Sequence, residues 1–468
     1  MRKVKIVCTI GPATESEKNI NRLISSGMNI ARLNFSHSTY EKHIKAVTNI
    51  RDAARRNNAP VAILQDLRGL KIRVGSLKNG AIILKKNARI FIRAGSAAGD
   101  ENQIFLSYRD LLRDVKNGAE ILIDDGLLRL KVTGRKGSRL TAKVEEGGLL
   151  REKKGVNLPG SKISGSVFTR KDMDDLNLGI NLGVDYVAMS FVRSGDDLKR
   201  VKNWLRKKNA DIPVIAKIEN SQALENIDDI ISIADGLMIA RGDLGVELPP
   251  EQVPFIQKEL IKKCNIAMKP VITATQMLES MTGHSRPTRA EAADVANAVL
   301  DGTDALMLSA ETSIGQYPVE SLKMMDRIIR TAETGKRQSY HAETVSLNYA
   351  MALAEAACSS ARDIKAKTIV AFSRSGFTAL MVSKFRPQAL ITGFTGNEVI
   401  RRKMNLYWGV HPHIMKIPDN TDEMISTSEK VLLKNRIVRK GDSIVIIASS
   451  PFALGGKTNI MKLHKVGY

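Results

Sequence analysis

The chain has 468 residues, 43% of them hydrophobic, a length that fits about three domains rather than one. No run of about 20 apolar residues is free of charge, and the basic start is too short for the hydrophobic region of a signal peptide. We therefore expect neither a transmembrane helix nor a secretory leader. The cysteines, Cys8, Cys264 and Cys358, are odd in number and lack metal-binding spacing, which favours a reduced, cytoplasmic compartment over a disulfide framework.

The net charge is strongly positive, +23, from 72 Lys and Arg against 49 Asp and Glu residues. A basic surface attracts phosphates, so nucleic-acid binding is one interpretation. The excess is spread along the whole chain, however, and aromatic residues make up only 4%, which leaves few platforms for stacking bases. We expect attraction for small anions, including phosphates, with no specific nucleic-acid partner and no membrane partner.

Short apolar runs alternate with amphipathic stretches along most of the chain. Strands that are apolar on both faces and alternate with helices predict a parallel sheet, and eight such units predict an α/β fold of the (β/α)8 TIM-barrel type. In chain order the predicted strands are VKIVCTI, NIARLNF, VAILQDL, DYVAMSF, PVIAKIE, GLMIARG, PVITATQ and DALMLSA, with helices predicted at 196–208, 221–233, 251–267 and 288–300.

The segment between the third and fourth strands has a different pattern. KNARIFIRAG, AEILIDDGLLRLKVTG and SRLTAKVEEGG alternate apolar with polar residues, and Asp125-Gly126 is typical of a hairpin turn. We predict that residues 71–166 form a small, β-barrel-like domain inserted at the barrel mouth, placed to act as a lid. The barrel itself then comprises 1–70 and 167–338.

Beyond about residue 340 the alternation of strands and helices starts again. We predict a helix at 342–363, the strand TIVAFS, a helix from Gly376, the strand ITGFT, a helix at 422–435 and the strand DSIVIIAS. This pattern predicts a separate C-terminal α/β domain over 339–468.

Polar residues end the predicted barrel strands. The carboxyl ends of barrel strands meet at one face, where such enzymes carry out catalysis. Lys217 and Glu219 are two residues apart, as are Arg241 and Asp243, so on a strand each pair points to the same side. The alternative is a structural ion pair between Lys217 and Glu219, because buried Lys and Glu are rare unless paired.

Two of these carboxylates, Glu219 and Asp243, make a plausible Mg²⁺ or Mn²⁺ site. Magnesium takes one or two carboxylates and fills its other positions with water and substrate oxygens. Without a Cβ at Gly242, a ligand carboxylate can approach the backbone N–H closely. A phosphorylated, anionic substrate suits the surplus cations Arg32, Arg73, Lys217 and Arg241.

Eight motifs resemble pyruvate kinase, in order and at suitable spacing over essentially the whole chain. They are KVKIVCTIGPAT, MNIARLNFSHS, KGVNLPG, IAKIEN, ARGDLGVELP, ITATQMLESM, PTRAEAADVANAVLDGTDALMLSAET and GGKTNIM. The resemblance implies phosphoryl transfer from phosphoenolpyruvate to ADP, giving pyruvate and ATP in glycolysis, by a cytoplasmic homotetramer. The alternatives are a metal-dependent lyase or aldolase acting on a pyruvate enolate, which leaves the lid unexplained, and a non-catalytic basic binding protein.

The resemblance also implies roles for individual residues. Lys217 stabilises the phosphoryl group in transit, Arg32 binds phosphate, and Thr275 lies near the enolate carbon, where protonation runs through water. Glu219 and Asp243 hold the divalent metal. Substrate-binding positions correspond to Arg32, Lys217, Gly242, Asp243 and Thr275, and nucleotide-contacting positions to Asn34, Phe35, Ser36, His37, Arg73 and Lys154.

One stretch departs from the family pattern. Residues 66–73 read DLRGLKIR where the family has DTKGPEIR, so Lys71 replaces a glutamate, Leu67 a threonine and Leu70 a proline. The glutamate lies beside a monovalent-cation pocket that would involve Asn34, Ser36 and Asp66. An ammonium at 71 supplies positive charge there and repels K⁺ by about 4 kcal/mol at 4 Å near a surface. We predict an enzyme that does not need K⁺; the alternative is that Lys71 points to solvent and K⁺ still binds.

The C-terminal domain contains a candidate effector site. Ser373, Ser375 and Thr378 follow a predicted strand and open a helix, where backbone amides favour phosphate, and Lys457 follows two glycines that could close over it. The alternative is an ordinary helix cap and turn. The resemblance implies a sugar phosphate or nucleotide, so we predict activation by a phosphorylated small molecule.

Overall fold

The computed structural model describes residues 1–335, 349–416, 420–449 and 458–468. Two compact units are formed by the chain. One comprises Met1–Gln65, Asn181–Val187 and Lys258–Tyr468, and the other comprises Asp66–Ile180 and Ala188–Gln257.

The chain begins with strands whose residues are almost all buried, as their continuous apolar runs predict. The helix between the first two is capped by Ser16, whose side chain accepts a hydrogen bond from the backbone of Asn19. The elements are β1 (Lys5–Ile10), α1 (Glu17–Ser25), β2 (Ile30–Asn34), α2 (Tyr40–Arg56) and β3 (Ala62–Asp66).

An inserted β-domain follows, with its own core of aliphatic side chains such as Ile92, Leu106 and Leu130. Its elements are β4 (Ala81–Leu84), β5 (Arg89–Ala94), β6 (Gln103–Leu106), α3 (Leu111–Asp114), β7 (Glu120–Ile123), β8 (Leu128–Lys136), β9 (Arg139–Glu146), β10 (Gly148–Arg151) and β11 (Val156–Asn157), with a 3-10 turn at Lys78–Gly80. One sheet has the order β11-β7-β8-β9-β5-β6 and a smaller one pairs β10 with β4. The predicted hairpin turn is confirmed: Asp124 and Asp125 have φ of 56° and 55°, values suited to a tight β7–β8 connection.

The chain then completes the barrel. The elements are α4 (Arg170–Asn181), β12 (Tyr186–Met189), α5 (Gly195–Lys207), β13 (Val214–Ile218), α6 (Ser221–Glu225), α7 (Ile227–Ile233), β14 (Gly236–Ala240), α8 (Arg241–Glu247), α9 (Val253–Ile266), β15 (Val271–Ala274), α10 (Arg289–Leu300), β16 (Ala305–Leu308), α11 (Ala310–Ser313) and α12 (Pro318–Ala332), with 3-10 turns at Pro250–Gln252 and Glu279–Thr282. The strands close in the order β1-β16-β15-β14-β13-β12-β3-β2. The predicted eight-stranded parallel barrel is confirmed.

One local prediction about the barrel is wrong. Arg241 and Asp243 were expected on one face of a strand, but β14 ends at Ala240 and α8 begins at Arg241. The chain turns into a helix as soon as the apolar run ends. Residues 241 and 243 therefore lie about 200° apart around a helix axis rather than on one strand face.

The last segment forms the predicted α/β domain. Its elements are α13 (Tyr349–Asp363), β17 (Thr368–Phe372), α14 (Phe377–Lys384), β18 (Leu390–Thr395), α15 (Glu398–Met404), β19 (Val410–Ile414), α16 (Thr421–Lys434), β20 (Ser443–Ala448) and β21 (Ile460–Lys465). The sheet order is β19-β18-β17-β20-β21, with β21 antiparallel to β20. The start of the helix predicted at 342–363 lies outside the described residues.

Among the described residues, no helix combines the length and the apolar character needed to cross a membrane.

Candidate active site

Lys217 and Glu219 lie at the carboxyl end of β13 and are 8% and 1% exposed. The Nζ atom of Lys217 is 2.8 Å from Oε1 of Glu219 and 3.2 Å from Oδ1 of Asp66, at the end of β3. It also donates a hydrogen bond of 2.7 Å to the hydroxyl of Ser190. The ammonium is therefore fixed between two carboxylates and a hydroxyl, which compensates for its burial.

The second oxygen of Glu219 is held by the backbone. It accepts a hydrogen bond of 2.6 Å from the N–H of Phe191. Phe191 has φ of 56°, an uncommon conformation for a bulky residue, and it follows the end of β12. Burial raises the pKa of Glu219 above its ordinary value, Lys217 acts in the opposite direction, and the charge of Asp243 raises it further. The carboxylates of Glu219 and Asp243 are thus close enough to interact.

Asp243 lies in the first turn of α8, one residue after Gly242. The positive end of a helix dipole favours anions, so this position suits both a metal-binding carboxylate and an incoming substrate carboxylate. Arg241, 8% exposed, has its guanidinium 3.3 Å from Oε1 of Gln257, to which it donates.

The oxygen donors suit a hard divalent cation. In the described part of the chain, no group of three or more His, Cys, Asp and Glu side chains is arranged to hold a metal by itself. Two carboxylates, Glu219 and Asp243, match the ligand set that Mg²⁺ uses when substrate and water complete its coordination. The residues present therefore fit magnesium and do not fit a closed structural site such as that of zinc.

Arg32 belongs to the other compact unit. It lies on β2, is 9% exposed and donates a hydrogen bond of 2.9 Å to the hydroxyl of Thr9, its register partner on β1. The hydrogen bond to Thr9 therefore fixes the guanidinium beside β1.

Thr275 follows the end of β15 in a strained conformation. Thr275 and Gln276 have φ of 68° and 53°, and a β-branched residue in this region is a genuine outlier that costs about 1–3 kcal/mol. The following loop is anchored by Glu311, which accepts hydrogen bonds of 3.0 Å from the N–H of Leu278 and 2.7 Å from that of Ser309. Burial raises the pKa of Glu311. Strain of this kind clusters at active sites, so the loop is a candidate for catalysis.

Asn34 to His37 form a compact turn after β2. Oδ1 of Asn34 accepts from the N–H of Ser36 at 3.1 Å, and its carbonyl accepts from the N–H of His37 at 3.2 Å. The ring of Phe35 is 2% exposed and stacks on His43 with ring centroids 4.0 Å apart. Because the ring is buried, Phe35 can contact a nucleotide only through its own backbone atoms.

Arg73 and Lys154 lie in the inserted domain. The guanidinium of Arg73 donates to the carbonyl of Lys153 at 2.8 Å, and burial with a contribution from Arg68 lowers its pKa. Nζ of Lys154 is 2.8 Å from Oδ1 of Asp124, the residue that follows β7.

Lys71 lines a cavity of about 80 Å³ within the second unit. Asp243, Glu247 and Asn157 line the same cavity. Lys71 and the predicted metal ligand Asp243 therefore border the same cavity.

The predicted effector residues lie around the start of α14. Gly376 opens the helix with φ of 87°, and Oγ of Ser375 accepts from the N–H of Phe377 at 3.4 Å. The hydroxyls of Thr378 and Thr458 are 2.8 Å apart, and Ser373 is buried. Lys457 lies outside the described residues.

Sequence reasoning gave no role to two contributors to the site, although it placed Ser190 among the polar residues at the barrel mouth. Ser190 ends the predicted strand DYVAMSF in the same way that other polar residues end their strands, so its position was a usable signal. Phe191 contributes a backbone N–H. No residue type encodes that donor, and it could be found only from the structure.

A parallel barrel whose strands end in a buried Lys, Glu and Asp belongs to the class of barrel enzymes, whose active sites lie at this end of the strands. Family models refine this class. The model described as "Pyruvate kinase, barrel domain" matches residues 1–322, and the one described as "Pyruvate kinase, alpha/beta domain" matches residues 351–464.

Individual relatives agree. The pyruvate kinase of Sporosarcina psychrophila is 44% identical over all of this chain and 81% of its own, and that of Geobacillus stearothermophilus is 45% identical over 99% of this chain and 80% of its own. A crystal structure of a pyruvate kinase from Cryptosporidium parvum superposes with a TM-score of 0.93 at 37% identity, covering 99% of this chain and 96% of that one. The chain belongs to the pyruvate kinase family.

Proposed function

We propose that this protein transfers a phosphoryl group from phosphoenolpyruvate to ADP, giving pyruvate and ATP in glycolysis. The observation that carries the proposal is the buried Lys217, held by Asp66 and Glu219 at the ends of barrel strands, with Asp243 close enough to raise the pKa of Glu219. Phosphoryl transfer is mainly positioning and charge neutralisation, and these groups supply both.

Glu219 and Asp243 would hold Mg²⁺ or Mn²⁺, which when bound neutralises charge on the phosphoryl oxygens. Lys217 places a positive charge beside the phosphoryl group as it moves. Ser190 and Asp66 restrain that ammonium, so little reorganisation is needed at the moment of reaction.

Arg32 binds the phosphate, and the backbone at Gly242 and Asp243 receives the substrate carboxylate. The enolate that departs must gain a proton at its methylene carbon. Thr275 orders a water for this step, because a threonine hydroxyl is a poor acid by itself. The strained backbone at Thr275 supports a role that packing alone does not require.

The nucleotide would contact the turn from Asn34 to His37, together with Arg73 and Lys154. This assignment is supported by the positions of Arg73 and Lys154, because both lie in the inserted domain. Cations in that domain suit a lid that closes over the nucleotide and excludes water. We propose the boundaries given above for the barrel, the inserted lid at 71–166 and the regulatory domain at 339–468.

The enzyme would work without K⁺. Lys71 lines the cavity that Asp243 also lines, so its ammonium would add positive charge near a predicted metal ligand. The monovalent-cation pocket of Asn34, Ser36 and Asp66 would then stay without a required ion. In this chain Asp66 already has an ammonium partner, Lys217, at 3.2 Å.

The C-terminal residues Ser373, Ser375, Thr378 and Lys457 would bind a phosphorylated activator. The contact between Thr378 and Thr458 supports this arrangement, because it brings the chain just after Lys457 to the start of α14. By resemblance to the family, we also propose a homotetramer in the cytoplasm.

A coupled assay tests the function directly. Purified protein with phosphoenolpyruvate, ADP and Mg²⁺ should form pyruvate and ATP, and chelation of the metal should abolish both. Absence of ATP formation that depends on both phosphoenolpyruvate and ADP would favour the lyase or aldolase alternative instead. Absence of turnover combined with steep salt dependence of nucleic-acid affinity would support a binding protein.

A further inference from the structure

Helix α8 carries two carboxylates one turn apart. Asp243 lies in its first turn and Glu247 is its last residue, so both lie on the same face. Oε1 of Glu247 accepts a hydrogen bond of 3.1 Å from the side-chain amide of Asn157. Asn157 belongs to β11 of the inserted domain, so this bond joins that domain to the helix that bears a predicted metal ligand.

A second contact lies beside the first. The β7–β8 hairpin reaches α8 at Gly126, where an added Cβ would lie 3.9 Å from a methyl group of Val246. Larger side chains at 126 would also be strained, because φ there is 87°. The inserted domain therefore meets the last turn of α8 at two adjacent points.

Lys154 is rigidly connected to these contacts. It lies three residues before Asn157, and its ammonium is bound at 2.8 Å by Asp124 of the same hairpin. The backbone N–H of Asp124 donates to the carbonyl of Gly155 at 3.1 Å, and β11 pairs with β7. We therefore expect a displacement of Asn157 relative to α8 to displace Lys154 as well.

The carboxylate of Glu247 sits in poor surroundings for a charge. The cavity that it lines is also lined by Val156, Leu158 and Ile163. Burial raises the pKa of Glu247 to about 7, with Asn157 acting in the opposite direction. Glu247 is partly buried, and an acceptor in such a position is less stable without its hydrogen bond, so separation from Asn157 is penalised.

We propose that Glu247 is a positioning residue for phosphoryl transfer: its hydrogen bond to Asn157 holds the inserted domain on α8 and so sets Lys154 relative to Asp243. Neither Glu247 nor Asn157 touches the reacting atoms. The role in transfer rests on the function proposed above, whereas the contact itself can be tested without substrates.

The experiment compares four variants of the full chain: E247A, N157A, E247Q and the double variant E247A/N157A. A hydrogen bond to a carboxylate shifts the equilibrium of a domain contact by about tenfold or more. We expect E247A and N157A each to lower kcat/KM for ADP by about tenfold, with KM for phosphoenolpyruvate changed less than about twofold. E247Q keeps the acceptor oxygen and should recover most of the loss, and the double variant should be no worse than either single one.

Three results would overturn the proposal. If E247Q lowers kcat/KM for ADP as much as E247A does, the charge of Glu247 matters and its hydrogen bond does not. If the two single losses multiply in the double variant, the residues act independently. Unchanged ADP kinetics in both single variants would show that the bond has no role.

Amide hydrogen exchange, measured without substrate, separates this proposal from the proposed function. Exchange over 120–127 and 154–158 should rise in E247A and N157A and stay near wild type in E247Q, while β13 stays protected as a control for folding. If exchange behaves in this way but the wild type forms no ATP, the contact is real and the function is wrong. If exchange does not respond, the positioning contact is refuted whatever the kinetics show.

Discussion

Asp304 joins the barrel to the C-terminal domain through buried charges. It precedes β16 and is 2.6 Å from Nζ of Lys384, the last residue of α14, and 2.9 Å from the guanidinium of Arg386. The side chains of Asp304 and Lys384 are both 0% exposed. Burial lowers the pKa of Lys384 to about 8, and Asp304 acts against that shift. Burial alone would raise the pKa of Asp304, but Arg386 and Lys384 together hold it below its ordinary value.

The structure sets the size of the effect expected on replacing these groups. K384M removes one cation but leaves Asp304 with Arg386 and with the N–H of Val271 at 2.8 Å, so we expect a loss near the lower end of the about 3–5 kcal/mol typical of a broken buried pair. D304L leaves Lys384 and Arg386 facing each other and should cost more. In the double variant D304L/K384M both members of the pair are absent. The loss of folding stability in this variant should therefore be about 1–3 kcal/mol smaller than the sum of the losses in the two single variants.

Trp408 provides the assay. Its ring lies 4.8 Å from the guanidinium carbon of Arg386, and the chain has only two tryptophans. In a W204F background, fluorescence during urea unfolding reports the loss of this interface. Two results would refute the assignment of a coupled buried pair: stability losses of the single variants that add up in the double variant, or a stability loss below about 1 kcal/mol in K384M.

The same pair predicts a pH dependence. The pKa of Lys384 is about 8 in the folded protein and near 10.5 when unfolded, so the unfolded chain binds more protons between these values. Stability from this group therefore rises with pH over that window, because deprotonation removes the burial cost of the charge. The urea midpoint of the wild type relative to K384M should increase from pH 8 to 10.5, and a decrease would contradict the folded-state pKa.

Four further predictions concern the proposed site. K217M should lower kcat by about 10²-fold or more with little change in KM. The control K202M, which removes a partly exposed lysine bound to Asp235, should have a kcat near that of the wild type. Normal turnover in K217M would exclude Lys217 from the mechanism. D243N should raise the Mg²⁺ concentration needed for half-maximal activity by about 10–100-fold, and an unchanged titration would place the metal elsewhere. The wild type should be as active in potassium-free buffer as with K⁺, whereas K71E should become K⁺-activated; strong K⁺ activation of the wild type would refute the hypothesis. Sugar phosphates should activate the wild type at sub-saturating phosphoenolpyruvate, and T378V, which removes the hydroxyl that meets Thr458, should weaken the response.

The barrel could be predicted because the pattern of apolar and polar side chains indicates where its strands lie. Each of its strands is a short apolar run that lies where the run predicted it, and most of them end in a polar residue or are followed by one. Arg241 and Asp243 show the limit of the same pattern. The apolar run LMIA marks the end of β14, but nothing in Arg-Gly-Asp distinguishes a continuing strand from the first turn of a helix.

The elements that were missed have weaker patterns. Strand β19 reads VHPHI, where two histidines and a proline obscure the apolar alternation that a strand normally shows. It forms one edge of its sheet, paired with β18 alone, and an edge strand tolerates proline. The helix predicted over 221–233 is divided at Asn226, which lies between the end of α6 and the start of α7 at Ile227. The hydrophobic periodicity continues through that break, so the sequence pattern does not indicate that the helix is divided there.

The proposal that the Lys71 ammonium replaces K⁺ makes a further prediction about substrate binding. Lys217 is paired with the carboxylates of Asp66 and Glu219, and Lys71 lines the cavity that Asp243 also lines. This group therefore contains three carboxylates and two ammonium groups. A divalent ion would leave this group with an excess of one positive charge, which suits an anionic substrate. With glutamate at 71 the same group would carry an excess of one negative charge, and phosphoenolpyruvate would be repelled unless another cation were bound. K⁺ restores only half of that difference. A K71E variant should therefore bind phosphoenolpyruvate more weakly than the wild type even when K⁺ is saturating, and equal KM values for the two proteins would show that the charge at 71 is not sensed by the substrate.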